Sequence, residues 1–209
     1  MTHQGEDPEY QFSVEEQKVL TENLHILTQE VHSGSFSGAR LDMQLLQHLH
    51  ARIFSGVRDH AGKTRSRNWG SEHLVFGPNR SVNRTQVDEK LDTVFVRLER
   101  ECRSLLADTQ SPLFVERAFS LAVTTHADVI RIHPFQDGNG RTSRVLLNIM
   151  MVRFGLPPLA VEQCKQEYVA LLNTYFMTRD AQPLIDGLLR VLHAQLVERG
   201  TLSQEPVAE

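Results

Sequence analysis

The chain has 209 residues, enough for one ordinary domain with short extensions. Hydrophobic residues make up 40% and charged residues 23%, a mix that builds a core without help from disulfides or metals. The formal charge of −4 and a pI near 6.2 supply no bulk field for a polyanion, which argues against a non-specific nucleic-acid binder.

No apolar run reaches membrane-spanning length, and Met1 to Tyr10 is too polar for a Sec-type signal peptide. Cys102 and Cys164 lie far apart and match no zinc or redox spacing. A reduced compartment is the default reading, with a single extracellular disulfide as the alternative. The first ten and last nine residues are polar, contain Pro and read as loose ends. No internal repeat or low-complexity stretch is present.

Between the ends most segments carry helical periodicity. Phe12 to His32 sets Phe12, Val19, Leu20, Leu24, Ile26, Leu27 and Val31 on one broad stripe. Ser13, with Glu16 three residues on, forms a capping-box pattern at its start. After the break at residues 33–38, Leu41 to Phe54 forms a second amphipathic helix with Leu45, Leu46, Leu49 and Ile53 inward. Ser55 to Arg84 holds Gly56, Gly62, Gly70, Gly77 and Pro78 and the apolar trio Leu74-Val75-Phe76, which predicts a loop followed by a short hairpin.

Helical pattern resumes at Thr85, which with Asp88 resembles a capping box, and runs to about Leu106. Pro112 opens the next helix, to about Arg131, and its sequence is apolar almost all round, so it should be central. Thr142 to Phe154 is similarly apolar and is stopped by Gly155 and Pro157-Pro158. Cys164 to Arg179 and Pro183 to Arg199 complete the chain. The expectation is an all-α bundle of six to eight helices with one short β-hairpin.

The connection between the two most apolar helices, His133 to Arg144, concentrates two glycines, an Asn, an Asp, a His and two Arg in twelve residues. Pro134 cannot continue a helix, so the chain turns just after His133. Gly138-Asn139-Gly140 opens a new helix, whose unpaired N–H groups favour an anion. Arg141 and Arg144 sit three apart on its first turn and fight the macrodipole, a cost that a bound phosphate would offset. Asp137 beside phosphate is a natural Mg²⁺ ligand. His133 is the group whose ordinary pKa suits base chemistry near neutrality. Any one of these residues alone has a simpler reading as turn glycine, cap or surface charge; their concentration in one loop points to a site.

The segment matches HPFxDGNGRxxR at all nine fixed positions and so resembles the signature of the Fic (Fido) family. The resemblance extends to Leu49-His50, to Ala61-Gly62-Lys63-Thr64-Arg65 and to the hairpin region from Arg67 to Pro78, which look like the family's first helix, AGxxR stretch and flap. It implies a Fic core over residues 41–192, an N-terminal helical extension over 1–40, and the end of the last helix with a flexible tail over 193–209.

By that resemblance the chain is expected to transfer AMP from ATP to a Ser, Thr or Tyr hydroxyl of a target protein. His133 would be the base and Asp137 the Mg²⁺ ligand. Gly138, Asn139 (backbone and side chain) and Gly140 would cradle phosphates, Arg141 would contact the phosphate chain and Arg144 would orient the γ-phosphate. The flap, spanning Arg67 to Phe76 with Arg67, Asn68, Leu74, Val75 and Phe76 as docking residues, would pair with the target by strand addition. Tyr168 is a candidate for an adenine pocket, with a buried core tyrosine as the equal alternative. Transfer of UMP or phosphocholine, or a Doc-like kinase, are the alternative activities; Gly140 stands where Doc-type motifs carry Lys.

The family's inhibitory pattern [S/T]xxxE[G/N] has two partial matches, Thr85 to Glu89 and Thr201 to Glu205, each lacking the final Gly or Asn. The chain thus reads as unrestrained, or as a toxin or effector held in trans by a small antitoxin. A bacterial cytoplasmic location is expected, with injection into a host cell as the alternative.

Overall fold

The computed structural model describes residues 12–66, 68–161 and 165–200. In chain order it contains α1 (Val14–His32), α2 (Met43–Ile53), β1 (Val75–Phe76), β2 (Asn79–Arg80), α3 (Val87–Leu106), α4 (Phe114–Ile132), α5 (Asn139–Arg153), α6 (Lys165–Thr178) and α7 (Gln182–Glu198). The all-α class holds: among the described residues there are seven helices and one two-stranded hairpin. Arg67, Cys164 and the tail from Thr201 lie outside the described residues. The chain divides after Pro157 into two compact units, the first with α1 to α5 and the hairpin, the second with α6 and α7.

In the first unit α4 is the central rod. Its near-uniform apolar surface buries Ala118, Phe119, Leu121, Ala122, Val123, Val129 and Ile132, with α5 packed on one side and α3 on another. α1 and α2 cover α5. α1 starts with the expected capping box: the Ser13 hydroxyl accepts from the Glu16 N–H at 3.2 Å and Glu16 accepts from the Ser13 N–H at 2.7 Å. Asp42 caps α2 by accepting from the Leu45 N–H at 2.9 Å.

Two local expectations are corrected. Thr85 caps nothing; Arg84–Gln86 is a 3-10 turn and α3 begins at Val87. Asn83, a better cap than Thr, caps that turn by accepting from both the N–H and the hydroxyl of Thr85, at 2.9 and 2.8 Å, and α3 itself starts after Gln86 without a side-chain cap. The hairpin pairs Val75 with Arg80 and Phe76 with Asn79, with Gly77-Pro78 as the two-residue connection. The expected flap span, Arg67 to Phe76, therefore holds one strand only, and the partner strand lies beyond it.

In the second unit α6 and α7 pair closely at Gly187, where an added Cβ would stand 2.3 Å from Leu171 Cδ1. Gln195 donates to the Ala160 carbonyl at 2.8 Å and holds the preceding strap. Among the described residues no helix is long and apolar enough to cross a membrane.

Candidate active site

α4 ends on His133, which adopts the left-handed conformation (φ 55°, ψ 62°). For a residue with a Cβ that costs about 1 kcal/mol, so something must hold it. The holder is Arg65, whose side chain is fully buried. Its Nε and Nη2 donate to the His133 carbonyl at 2.9 and 2.7 Å, and Nη2 also reaches Ile132 O at 3.3 Å. Nη1 donates to Ser71 O at 3.0 Å and Glu72 O at 3.3 Å, and Nη2 to Val82 O at 3.2 Å. The Arg65 N–H donates to Pro134 O at 2.7 Å. Burial lowers the Arg65 pKa to about 10, which still leaves it charged at neutral pH. That charge lies at the carbonyl end of α4, where the macrodipole favours a cation.

The His133 ring is fixed by two contacts. Nδ1 lies 3.2 Å from the Ile130 carbonyl, which demands a proton on Nδ1 and leaves the lone pair on Nε2. The Phe76 ring of β1 stacks on it at 4.1 Å between centroids and 12° between planes. Burial pushes the His133 pKa down to about 4; Arg65's charge acts in the same direction and the Ile130 bond opposes it. The imidazole is therefore neutral near pH 7.

The loop after His133 is braced from within. Asn139 is fully buried; its Oδ1 accepts from the Phe135 N–H at 2.8 Å and its Nδ2 donates to Phe135 O at 3.0 Å. The side chain expected to cradle phosphate thus binds the Phe135 backbone at both its oxygen and its nitrogen. Phe135, also fully buried, stacks on His50 at 3.9 Å. His50 accepts from the Gly62 N–H at Nδ1 (2.8 Å) and donates from Nε2 to the Asp137 carbonyl (3.2 Å), so one neutral ring ties α2, the AGxxR stretch and the motif together. Burial lowers its pKa to about 4.

Gly138 has φ 69° and precedes α5 without a side-chain cap, so the first N–H groups of α5 keep their anion-binding capacity. Arg141 lies over the rings of Phe12 (5.2 Å) and Phe54 (5.8 Å), and its Nη1 is buried without a hydrogen-bond partner. Arg144 extends along the first turn, its Nη1 3.1 Å from where a Cβ on Gly140 would stand.

Asp137 is nearly buried, and both its oxygens are engaged. Arg58 Nε donates to Oδ2 and His60 Nε2 donates to Oδ1, each at 3.1 Å. Arg58 also donates to Glu16 at 2.8 Å and rests 4.2 Å from the Phe12 ring, so the first turn of α1 reaches the metal-ligand candidate through one arginine. Neither Arg58, His60, Glu16 nor Phe12 was expected at the site. Arg58 and His60 sit in the irregular loop, where no periodicity marks a facing direction.

The remaining candidates are placed as follows. Leu74, Val75 and Phe76 lie on the flap, with Val75 70% exposed and Phe76 stacked on His133. Asn68 is exposed at the flap's beginning. Tyr168 is buried on α6 in the second unit. Of the two partial inhibitory patterns, Glu89 is solvent-facing beside Lys90 at 3.8 Å, and Thr201 to Glu205 lies outside the described residues.

Two buried helices joined by a braced loop bring together a lone pair on imidazole, a carboxylate and an uncapped helix start. The Fic/DOC family model matches residues 40–151, and the chain belongs to that family. Protein adenylyltransferase Fic of Drosophila melanogaster is 32% identical over 128 residues, covering 60% of this chain and 23% of that protein. Protein adenylyltransferase fic-1 of Caenorhabditis elegans is 45% identical over 53 residues, 25% of this chain and 10% of that protein. The chain thus spans less than a quarter of the length of these relatives. Among solved structures, a fragment of C. elegans Fic-1 (residues 134–508) has a TM-score of 0.67 at 23% identity, covering 92% of this chain and 53% of that one. BepC of Bartonella tribocorum, with bound AMPPNP, has a TM-score of 0.64 at 16% identity, covering 84% and 86%. Likeness at these identities shows a shared fold.

Proposed function

We propose that this chain transfers AMP from ATP to a hydroxyl side chain of a target protein. The observation that carries the proposal is the Nε2 lone pair of His133, exposed by the Ile130 bond to Nδ1, beside an uncapped helix start whose Arg141 has an unpartnered donor. The relatives named adenylyltransferases support the same reading, as does the AMPPNP bound in the BepC structure.

The triphosphate lies against the first N–H groups of α5, and Arg141 Nη1 gains the acceptor it lacks. Asp137 fits Mg²⁺: its carboxylate oxygens are hard donors, each with a lone pair beyond the bond to Arg58 or His60. When bound, the ion neutralises phosphate charge.

The target's hydroxyl oxygen attacks the α-phosphorus, the bond to the β-phosphate oxygen breaks, and pyrophosphate leaves. His133 Nε2 takes the hydroxyl proton. An imidazole held near a pKa of 4 does not strip an alcohol in advance; it accepts the proton as the new bond forms. Positioning and charge neutralisation supply the rest of the acceleration. The target adds as a strand beside β1, where Val75 is exposed. A small partner that restrains the site in trans belongs to the same reading.

The test uses labelled ATP and a bacterial lysate. Label at the α-phosphate should appear on protein, and His133→Ala should abolish it with the unfolding midpoint unchanged. Label from the γ-phosphate would instead mean a kinase, and no label from either position would sink adenylylation.

A further inference from the structure

We propose that Gln136, at the position the motif leaves variable, is a positioning residue that latches the flap to the catalytic loop and so sets where a docked hydroxyl meets His133. The proposal rests on the reading of His133 as the base.

The flap needs such an anchor. β1 and β2 are two residues each, and a two-stranded hairpin alone is marginally stable in water. The segment leading into it, residues 68–74, is irregular. Its place against His133 must come from side chains.

Gln136 is rooted in the most rigid part of the loop. The preceding residue, Phe135, has its ring clamped on His50 and both backbone groups bonded to Asn139. From there the amide crosses to Ser71 and closes a ring. Gln136 Oε1 accepts from the Ser71 N–H at 2.9 Å, and Gln136 Nε2 donates to the Ser71 hydroxyl at 2.9 Å. An amide offers an acceptor and a donor side by side, which a backbone N–H and a hydroxyl on one residue match. Gly70 makes the room: a Cβ there would stand 3.3 Å from Gln136 Oε1 and 2.9 Å from Arg65 Cγ. Ser71 is thus gripped at three points, because its carbonyl is held by Arg65 at 3.0 Å. Five residues further on, Phe76 meets the His133 ring.

Arg65 is the other anchor, but it also fixes the end of α4 and is fully buried, so its replacement tests the fold and the latch together. Gln136 is half-buried, and its side-chain hydrogen bonds go to Ser71. The phosphate-binding groups, Arg141 and the start of α5, make no contact with it among those described. Loss of the latch should therefore spare nucleotide binding and misplace the acceptor. Two neutral hydrogen bonds correspond to a change of about ten- to a hundredfold in a local opening equilibrium, and a misplacement near 1 Å lowers transfer by up to about a hundredfold.

The experiment compares the wild-type chain with Gln136→Ala, Gln136→Glu and Ser71→Ala. Amide exchange over residues 70–76, AMPPNP–Mg²⁺ affinity by calorimetry, and transfer of α-labelled AMP to lysate proteins are read together. Gln136→Ala should speed exchange at least about tenfold, lower transfer about tenfold or more, and leave AMPPNP affinity within about twofold. Ser71→Ala keeps one of the two bonds and should fall between. Gln136→Glu keeps acceptors for the Ser71 N–H and hydroxyl and should recover most of the exchange protection. Wild-type exchange in Gln136→Ala overturns the latch. Faster exchange with unchanged transfer, or a parallel loss of AMPPNP affinity, overturns the positioning role. A wild-type chain that binds AMPPNP but transfers no label refutes the base assignment, and the exchange comparison still decides the latch.

Discussion

The two motif glycines are alike in sequence and opposite in structure, and substitution should separate them. At Gly138 an alanine Cβ would stand 2.1 and 2.2 Å from Phe54 Cε2 and Cζ, on a backbone with φ 69°. The left-handed conformation costs a residue with a Cβ about 1–2 kcal/mol, and forcing a methyl into a packed core costs about 1–3 kcal/mol. Phe54 cannot yield freely, because it is fully buried and stacked on His50 at 4.6 Å. Gly138→Ala should therefore cost about 2–5 kcal/mol. At Gly140 the backbone is helical, where alanine is favoured by up to about 1 kcal/mol. Its new methyl would meet the Nη1 end of the long Arg144 side chain, 3.1 Å away, which need give by only a few tenths of an ångström. Gly140→Ala should stay within about 1 kcal/mol of wild type. Guanidinium unfolding measures both. Combining Gly138→Ala with Phe54→Leu should give less than the additive loss, with a coupling of about 0.5–3 kcal/mol. A Gly138→Ala protein within about 1 kcal/mol of wild type, or equal losses at the two glycines, would refute the account of the loop.

Other expectations follow from the same geometry. Asn139→Ala leaves the Phe135 N–H and carbonyl unbonded in a buried loop and should cost about 2–4 kcal/mol by denaturant unfolding; a loss near zero would contradict the bracing role. Arg58→Met should destabilise by about 2 kcal/mol because it strips a nearly buried Asp137, whereas Glu16→Gln should cost clearly less because the Arg58–Glu16 pair is open to solvent; equal losses in thermal melts would assign the network's stability to α1 instead. His50, His126 and His133 each have a pKa lowered by burial to about 4. Between that value and the unfolded value of about 6.5 the folded chain binds fewer protons than the unfolded one, so stability is full above this window and falls as pH drops through it. A urea midpoint that stays flat from pH 7 to 4.5 would contradict this.

What the sequence made legible was local. The Ser13–Glu16 capping box depends on residues three apart, and it forms as expected. The motif is legible because its reacting groups are contiguous, so spacing alone places imidazole, carboxylate and helix start together. The supporting groups are not. Arg58 and His60 reach Asp137 across 79 and 77 positions, from a loop whose path no periodicity constrains. Arg65 binds carbonyls drawn from the flap, from residue 82 and from the end of α4, a pattern that exists only after folding. Thr85 does not cap α3 because it lies inside a 3-10 turn that Asn83 caps, and spacing does not distinguish that turn from the first turn of a helix. The family resemblance points the Asn139 amide at phosphate, and spacing alone does not show its two bonds to the Phe135 backbone.

The division between inward and outward groups is itself informative. His133 is held in a strained backbone by Arg65, Asn139 is bonded to Phe135 at both ends of its amide, His50 is bonded at both nitrogens, and Asp137 is engaged at both oxygens. In the same loop the start of α5 has no side-chain cap, and Arg141 keeps a buried donor without an acceptor. Buried polar groups are normally paired, and an unpaired one costs about 1–3 kcal/mol. A loop that spends so many bonds on rigidity while leaving its anion-facing donors unmet is already arranged for charge that arrives with a ligand. No reorganisation is then needed when that charge develops further in the transition state. On the proposed function, the rigidity of Phe135 and Asn139 belongs to the chemistry as much as His133 does: a base and a row of donors act together only while the few residues between them cannot move.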